Sequence, residues 1–299
     1  MLDISSLTTE QVNTNTLHID QMSTVDMLRA INAEDRKIAE AVEQLIPQIA
    51  SATDMIVSSF QRGGRLFYIG AGTSGRLGIL DASECPPTYG TEPEMVQGII
   101  AGGPKAIQKS VEGAEDSPEL GRDDVDHHGI TDRDVLVGIA ASGRTPYVLG
   151  AMKRAHELGA TVIGLCNNHH SPMRAIAHLM IEVVVGPEVV MGSTRMKAGT
   201  SQKLVLNMLT TGAMIRIGKV HGNLMVDVQP SNVKLITRAK NIIKLATQAS
   251  DEQIEAAYTA ADGHVKTAIV MILLQVSAEE ARERLHGANG FVSGAISSS

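Results

Sequence analysis

The fold is decided by residues 65–78, which read RLFYIGAGTSGRLG. The apolar run Arg65–Ile69 suits a β-strand that is buried on both faces, and the glycine-rich stretch after it leads into a helix. Its glycines allow close backbone approach, and Thr73 and Ser74 place hydroxyl groups beside the free N–H groups of a helix start. This unit predicts a parallel α/β sheet with an anion-binding loop after one strand.

Three further apolar runs predict more strands of the same sheet: Val135–Ala141, Thr161–Cys166 and Met180–Val185. Met95–Ala101 is a candidate for an additional strand. Helical stretches, including Thr145–Leu158 and Pro172–His178, lie between these runs, and this alternation is typical of βαβ units. Apolar residues between 23 and 60 recur at helical spacing, which predicts two or three helices before the sheet.

The final part of the chain has a helical pattern. It is helical from Gly199 to Gly218, across Asn232–Ala249, and in pieces that begin near Asp251, His264 and Ala278. We therefore expect two domains: a sheet domain with an N-terminal helical extension at residues 1–248, and a small helical bundle at 249–299.

Composition excludes several classes of function. The net charge is −7 without a long basic tract, and aromatic residues make up 2% of the chain, so nucleic acid is not an expected partner. The start lacks the pattern of a signal peptide, and no segment has the length and apolar character of a membrane span. The two cysteines, Cys85 and Cys166, lie outside any disulfide or zinc pattern. We expect a soluble, cytoplasmic protein.

Two more loops at predicted strand ends carry hydroxyl groups. In ASGRTP, Ser142, Gly143 and Thr145 surround a predicted helix start that favours a dianion, although a hydroxyl there is also an ordinary helix cap. The third loop places Ser193 and Thr194 beside Lys197, and its alternative interpretation is a solvated turn. The GxGxxG pattern in the first loop also allows a dinucleotide site, but no predicted strand that ends in Asp or Glu follows about 20 residues later to hold a ribose.

The motifs GAGTSGRLGILDASECPP and GSTRMKAGTSQK resemble those of the sugar isomerase (SIS) domain family, and within it the N-acetylmuramic acid 6-phosphate etherases. The resemblance covers essentially the whole chain. It implies a flavodoxin-like three-layer α/β/α sandwich, a homodimer, and a lyase that removes D-lactate from the sugar phosphate without a metal or organic cofactor. It also implies that Thr73, Ser74, Ser142, Thr145 and Ser193 lie near the sugar phosphate.

The resemblance further implies that Glu84 and Glu115 are the catalytic pair. Both lie in stretches that the sequence predicts to be rich in turns. An ether on C3 can leave by elimination once a base has removed the proton from C2 of the ring-opened sugar, and an acid must protonate the departing oxygen. We expect Glu84 to be the acid and Glu115 the base, although the two roles could be exchanged.

Three alternatives stay open at this point. An SIS-type isomerase would share the phosphate loops but would keep the C3 oxygen. A sensor similar to glucokinase regulatory protein is built from two SIS halves, whereas this chain has one set of loops. A transcription regulator needs a basic recognition helix, which residues 1–60 do not offer.

Overall fold

Five parallel strands form the sheet: β1 (Leu66–Gly70), β2 (Val96–Ile100), β3 (Val135–Ile139), β4 (Thr161–Cys166) and β5 (Leu179–Glu182). The structure is a computed structural model that describes residues 7–109, 111–228 and 233–297. The strand order is β2-β1-β3-β4-β5, which is the flavodoxin-like order. The parallel sheet is confirmed, and so is the candidate strand at Met95–Ala101.

Among the described residues, the helices that precede, connect or follow the strands are α1 (Thr24–Asp35), α2 (Lys37–Glu43), α3 (Ile46–Gln61), α4 (Gly72–Tyr89), α5 (Lys105–Gln108), α6 (Pro118–His127), α7 (Pro146–Glu157) and α8 (Lys197–Arg216). The sequence predicts two or three helices before the sheet, and the part of the chain that the structure describes has three, α1 to α3. The predicted helix at Pro172–His178 is a short 3-10 helix over Pro172–Ala175, and Ser171 caps it by accepting a hydrogen bond from the Met173 amide. Other short 3-10 helices lie at Thr8–Glu10, Thr14–Thr16, Ile19–Gln21 and Ala114–Asp116.

Side chains of β1 alternate between the two faces of the sheet. Phe67 and Ile69 are fully buried in a core that also contains Val148 and Met152 of α7. Tyr68 points to the other face, where Gly78 of α4 lies so close that a Cβ atom at residue 78 would be 2.8 Å from the Tyr68 Cβ. Burial of each large apolar side chain contributes about 1.5–3 kcal/mol. The sheet thus has helices on both faces, as the three-layer prediction requires.

The remaining helices follow the sheet in sequence: α9 (Val233–Thr247), α10 (Asp251–Ala260), α11 (Val265–Leu274), α12 (Ala278–Gly287) and α13 (Val292–Ser297). They have their own apolar core, which includes Ile243, Ile254, Ile269 and Leu285. The predicted C-terminal helical bundle is confirmed. The predicted helix Asn232–Ala249 corresponds to α9, and its first residue lies outside the described residues.

Internal contacts divide the chain into two compact units. The first contains Met1–Ser83 and Glu94–Thr210, and the second contains Glu84–Pro93 and Thr211–Ser299. Helix α9 belongs to the second unit because it packs against α10 and α11. The domain limit at residues 248 and 249 stays a prediction. In the described part of the chain, every helix is too short or too polar to cross a lipid bilayer.

Candidate active site

The carboxyl ends of β1 and β3 meet at the point where the chain order of the sheet reverses. β1 pairs with β2 on one side and with β3 on the other, which is where ligands bind in open α/β sheets. A cavity of about 370 Å³ opens there, within the first compact unit. Its lining residues are Thr9, Glu10, residues 71–74, Glu115, Asp116, residues 139–142, residues 144–146 and Thr194.

The loop after β1 is tight because its glycines touch backbone. A Cβ atom on Gly70 would lie 2.7 Å from the Gly75 nitrogen, and one on Gly75 would lie 2.7 Å from the Gly70 carbonyl oxygen. Only glycine fits at both positions. The tight turn brings the amino terminus of α4, with Thr73 and Ser74, to the cavity wall. The Ser74 hydroxyl donates to Gln202 Oε1 at 2.9 Å, so that hydroxyl is already used within the protein.

The loop after β3 presents hydroxyl groups that remain available. Ser142 Oγ accepts a hydrogen bond from the Arg144 amide at 3.1 Å, which leaves its own O–H free to donate. Thr145 stands at the cap position of α7, but its side chain makes no capping hydrogen bond. Ordinary capping therefore does not account for this threonine. Gly143 has a φ of +67°, and a Cβ there would lie 2.3 Å from Ser171 Oγ, so this glycine shapes the loop and does not line the cavity.

Arg144 supplies a cation to the cavity wall. Its Nε atom is buried and has no hydrogen-bond partner among the residues that the structure describes. An unpaired buried N–H group is costly, so an anion that pairs with this guanidinium would be stabilising. The sequence analysis quoted Arg144 within ASGRTP but did not single it out. Its side chain is the feature of this loop most suited to binding a charged ligand.

Acidic side chains face the same cavity. Glu115 and Asp116 lie on a short 3-10 helix that follows Gly113, whose φ is +74°. Glu115 also lines a neighbouring space of about 280 Å³, so it stands at the wall between the two. Glu10 reaches the cavity from the N-terminal segment. The first unit therefore brings two glutamates, Glu115 and Glu10, to one cavity.

The N-terminal segment contributes to the site through bonds that are distant in sequence. Asn168 Nδ2 donates to Thr9 Oγ1 at 3.1 Å, and Asn13 Nδ2 donates to the Pro187 carbonyl at 3.3 Å. These bonds fix Thr9 and Glu10 against the loops after β4 and β5. Sequence reasoning missed both residues. The cluster of Asn and Thr in EQVNTNT was the available signal, since such side chains bond to backbone outside regular structure.

The third hydroxyl-bearing loop, which contains Ser193 and Thr194, contributes less to the cavity than the sequence suggests. Thr194 lines it, whereas Ser193 and Lys197 do not. The Lys197 side chain is 1% exposed, and its ammonium group pairs with Glu34 Oε2 at 2.7 Å. The carboxylate of Glu188 accepts hydrogen bonds from the amides of Lys197 and Ala198, both at 2.9 Å, and so occupies the amino terminus of α8. The starts of α4 and α7 are therefore the helix ends that open to this cavity.

Glu84 lies on α4, in the part of that helix that belongs to the second compact unit. It is exposed and is not one of the residues that line the 370 Å³ cavity. The expectation that it lies in a turn is wrong, because α4 continues through Pro86 and Pro87 to Tyr89. Each proline lacks an amide hydrogen to donate, and both stand in the last turns of the helix.

The described residues, 7–109, 111–228 and 233–297, contain no group of three or more His, Cys, Asp or Glu side chains that could hold a metal ion. The adjacent histidines at 127 and 128 stack edge to face with their ring centroids 5.3 Å apart. That the protein needs no metal or organic cofactor stays a prediction.

Comparisons with known proteins identify the family. The N-acetylmuramic acid 6-phosphate etherase of Photobacterium profundum is 59% identical over 295 residues, which is 99% of this chain and 98% of that protein. The etherase of the same name from Aliivibrio fischeri is 58% identical over 296 residues, with 99% of each chain covered. This chain belongs to the N-acetylmuramic acid 6-phosphate etherase family.

Two domain families match the part of this chain that builds the sheet. Residues 48–156 match the glucokinase regulatory protein N-terminal SIS domain, and residues 118–212 match the SIS domain. Together these ranges contain all five strands and the loops after β1 and β3. Among solved structures, a phosphoheptose isomerase from Neisseria gonorrhoeae is similar, with a TM-score of 0.49, 19% identity, and coverage of 64% of this chain and 98% of that chain. The SIS fold is thus confirmed by the family matches.

Proposed function

We propose that this chain removes D-lactate from N-acetylmuramic acid 6-phosphate and leaves N-acetylglucosamine 6-phosphate, a step in the recycling of cell-wall amino sugars. The observation that carries the proposal is the 59% identity over 99% of the chain with an etherase of that name. The cavity at the strand ends supports it, since it combines anion-binding groups with carboxylates that can transfer protons.

The phosphate is proposed to bind between the starts of α4 and α7. Both helices are long enough to have a macrodipole, and their first N–H groups favour a dianion. Three hydroxyl groups on the same wall, those of Thr73, Ser142 and Thr145, supply further donors. Ser74 has a positioning role in this proposal, because its hydroxyl donates to Gln202 and ties α4 to α8.

The substrate carries a second anion, the carboxylate of the lactyl group. Arg144 is proposed to bind one of the two anionic groups, because its guanidinium lines the cavity and its Nε lacks a partner among the described residues. A guanidinium also matches the planar geometry of a carboxylate or the edge of a phosphate. Without this cation, the carboxylates of Glu10, Glu115 and Asp116 would repel an anionic substrate.

The chemistry is proposed to be an elimination followed by addition of water. In the ring-opened sugar, the aldehyde at C1 makes the proton on C2 acidic, and Glu115 removes it. The bond between C3 and the lactyl oxygen then breaks, and an acid gives that oxygen a proton, so lactate leaves with the oxygen. Water adds its oxygen to C3 and a proton returns to C2. Glu84 is the acid that the family resemblance implies.

The isotopic composition of the products tests this mechanism. In deuterated, oxygen-18 water, the reaction should place deuterium on C2 and the heavy oxygen on C3 of the sugar phosphate. Mass spectrometry of both products reads the result. Heavy oxygen in lactate, with the original oxygen kept on C3, would contradict elimination, and an aldose–ketose conversion without free lactate would make the chain an isomerase.

The assembly and location of the enzyme are part of the proposal. We propose a homodimer that works in the cytoplasm, where phosphorylated sugars are metabolised. Large apolar side chains on α1, Val25 and Leu28, are 56% and 55% exposed, as expected for a surface that a second subunit covers. Sedimentation equilibrium at micromolar concentration tests the dimer, and a mass close to 31.7 kDa would contradict it.

A further inference from the structure

A second cavity lies entirely within the second compact unit. Its volume is about 800 Å³, which is in the range of sites that hold small organic ligands. It is lined by Gly90, Lys219, residues 226–228, residues 262–266, Leu285, His286, Asn289 and Gly290. The proposed etherase reaction assigns no role to these residues.

Two lysines in this cavity share a single carboxylate oxygen. Lys266 Nζ is 2.7 Å from Asp227 Oδ2, and Lys219 Nζ is 3.1 Å from the same atom. The side chains of Lys266, Asp227 and Lys219 are 7%, 11% and 23% exposed, so the three charges are largely withdrawn from water. One carboxylate balances one ammonium group. The cluster therefore holds one positive charge in excess.

The other charged groups at the cavity do not remove that excess. Asp262 is the second carboxylate on the wall, and Arg282 pairs with it at 2.7 Å. The remaining titratable side chains on the wall are His264 and His286, which are neutral or positive. The sum over Lys219, Lys266, Arg282, Asp227 and Asp262 is thus +1 before either histidine is protonated.

The position of Lys266 makes the excess positive charge unfavourable unless an anion compensates it. Lys266 lies in the first turn of α11, where the helix dipole is positive and a cation is disfavoured. Burial lowers the pKa of Lys266, although the Asp227 carboxylate opposes that effect. A second anion beside the ammonium group would favour its charged form and accept hydrogen bonds from the N–H groups of Lys266 that do not donate to Asp227.

We propose that this cavity is a binding site for a small oxyanion, a phosphate monoester or a carboxylate, held by Lys266 and Lys219. Both chemistries meet the same need, because each supplies an acceptor-only oxygen group with a negative charge. The volume admits the whole of a sugar phosphate or of a short hydroxy acid. This site is additional to the phosphate site proposed at the strand ends.

Methyl groups in the wall of the 800 Å³ cavity can report binding there separately from binding in the 370 Å³ cavity at the strand ends. Val226, Val228, Val265 and Leu285 line the 800 Å³ cavity and are absent from the lining of the 370 Å³ cavity. In a chain with carbon-13 labelled Val and Leu methyl groups, inorganic phosphate and D-lactate are titrated separately against potassium chloride of equal ionic strength. Saturable shifts of these four residues with either anion are expected, and the anion that produces them identifies the source.

Lys266→Met removes the excess charge and leaves Lys219 and Asp227 as a balanced pair. We expect it to raise the apparent dissociation constant at least ~10-fold, the scale of a charge-assisted hydrogen bond. Lys240→Met is the matched control, because Lys240 pairs with Glu255 in the same unit and does not line the cavity. If Lys266→Met does not fold, Lys219→Met makes the same test at a more exposed lysine. No saturable shift with either anion, or unchanged binding in a folded lysine variant, would overturn the proposal.

Discussion

Lys197 tests whether a cation at the start of α8 binds the substrate or stabilises the fold through an ion pair. The sequence places it among the substrate-binding residues, whereas in the structure its ammonium group pairs with Glu34 at 2.7 Å and is 1% exposed. Lys197→Met leaves the Glu34 carboxylate buried without its main partner. Breaking a buried ion pair in this way costs about 3–5 kcal/mol. For a domain of this size, in which 1 kcal/mol shifts the melting temperature by about 2–4 °C, it should fall by roughly 6–20 °C.

Two companion variants separate a structural role from substrate binding. Lys37→Met removes the other cation on Glu34, but the Lys37 side chain is 50% exposed, so it should cost only about 0–1 kcal/mol. Glu34→Gln combined with Lys197→Met removes both buried charges and should recover most of the lost stability. Scanning calorimetry and a lactate-release assay are made on all four proteins. A double variant that is stable but has lost at least ~100-fold of its activity would refute the structural role.

Three more predictions concern the site, and a fourth concerns the pH dependence of stability. Glu115→Gln should lower turnover at least ~100-fold and abolish deuterium exchange at C2. Glu84→Gln should lower turnover by as much but keep that exchange, and the opposite pattern would mean that Glu84 is the base and Glu115 the acid. Arg144→Met should raise KM for the substrate at least ~10-fold with a smaller effect on kcat, and an unchanged KM would remove Arg144 from the binding site. Glu10→Gln should alter kcat or KM measurably, because Glu10 shares the cavity with Glu115, and wild-type kinetics would show that it only lines the wall. Burial raises the pKa of Glu34, but hydrogen bonds from lysine and asparagine side chains outweigh that effect and lower the pKa to about 2. The stability that this carboxylate contributes should therefore be complete above pH 4.5 and lost as the pH falls towards 2. A melting temperature that changes with pH over this range in the same way with and without the Glu34 carboxylate would contradict this prediction.

The sheet could be predicted from the sequence because its strands are continuous apolar runs bounded by glycine and polar residues. Leu66–Gly70 and Val135–Ile139 are buried at every position, which is the pattern of strands with helices on both faces. The positions of the loops after these strands could be predicted from the same pattern, because glycine and polar residues mark where each apolar run ends. That Thr145 binds the ligand stays a prediction, and its side chain makes no capping hydrogen bond.

Features that depend on distant partners could not be predicted in this way. Lys197 pairs with Glu34, which is 163 residues away, so its sequence neighbours gave no sign of the ion pair. Glu10 reaches the cavity through bonds between the N-terminal segment and the loops after β4 and β5. At Glu84 the local signal itself was misleading, because Pro86 and Pro87 indicated a turn but stand inside a helix.

The central claim is that the cavity between the loops after β1 and β3 holds the sugar phosphate. A crystal structure of the Glu115→Gln variant with N-acetylmuramic acid 6-phosphate tests it most directly. We predict phosphate oxygens at about 2.7–3.2 Å from the first amides of α4 or α7, with C2 of the sugar next to residue 115. A sugar phosphate bound elsewhere, with those amides unoccupied, would contradict the account.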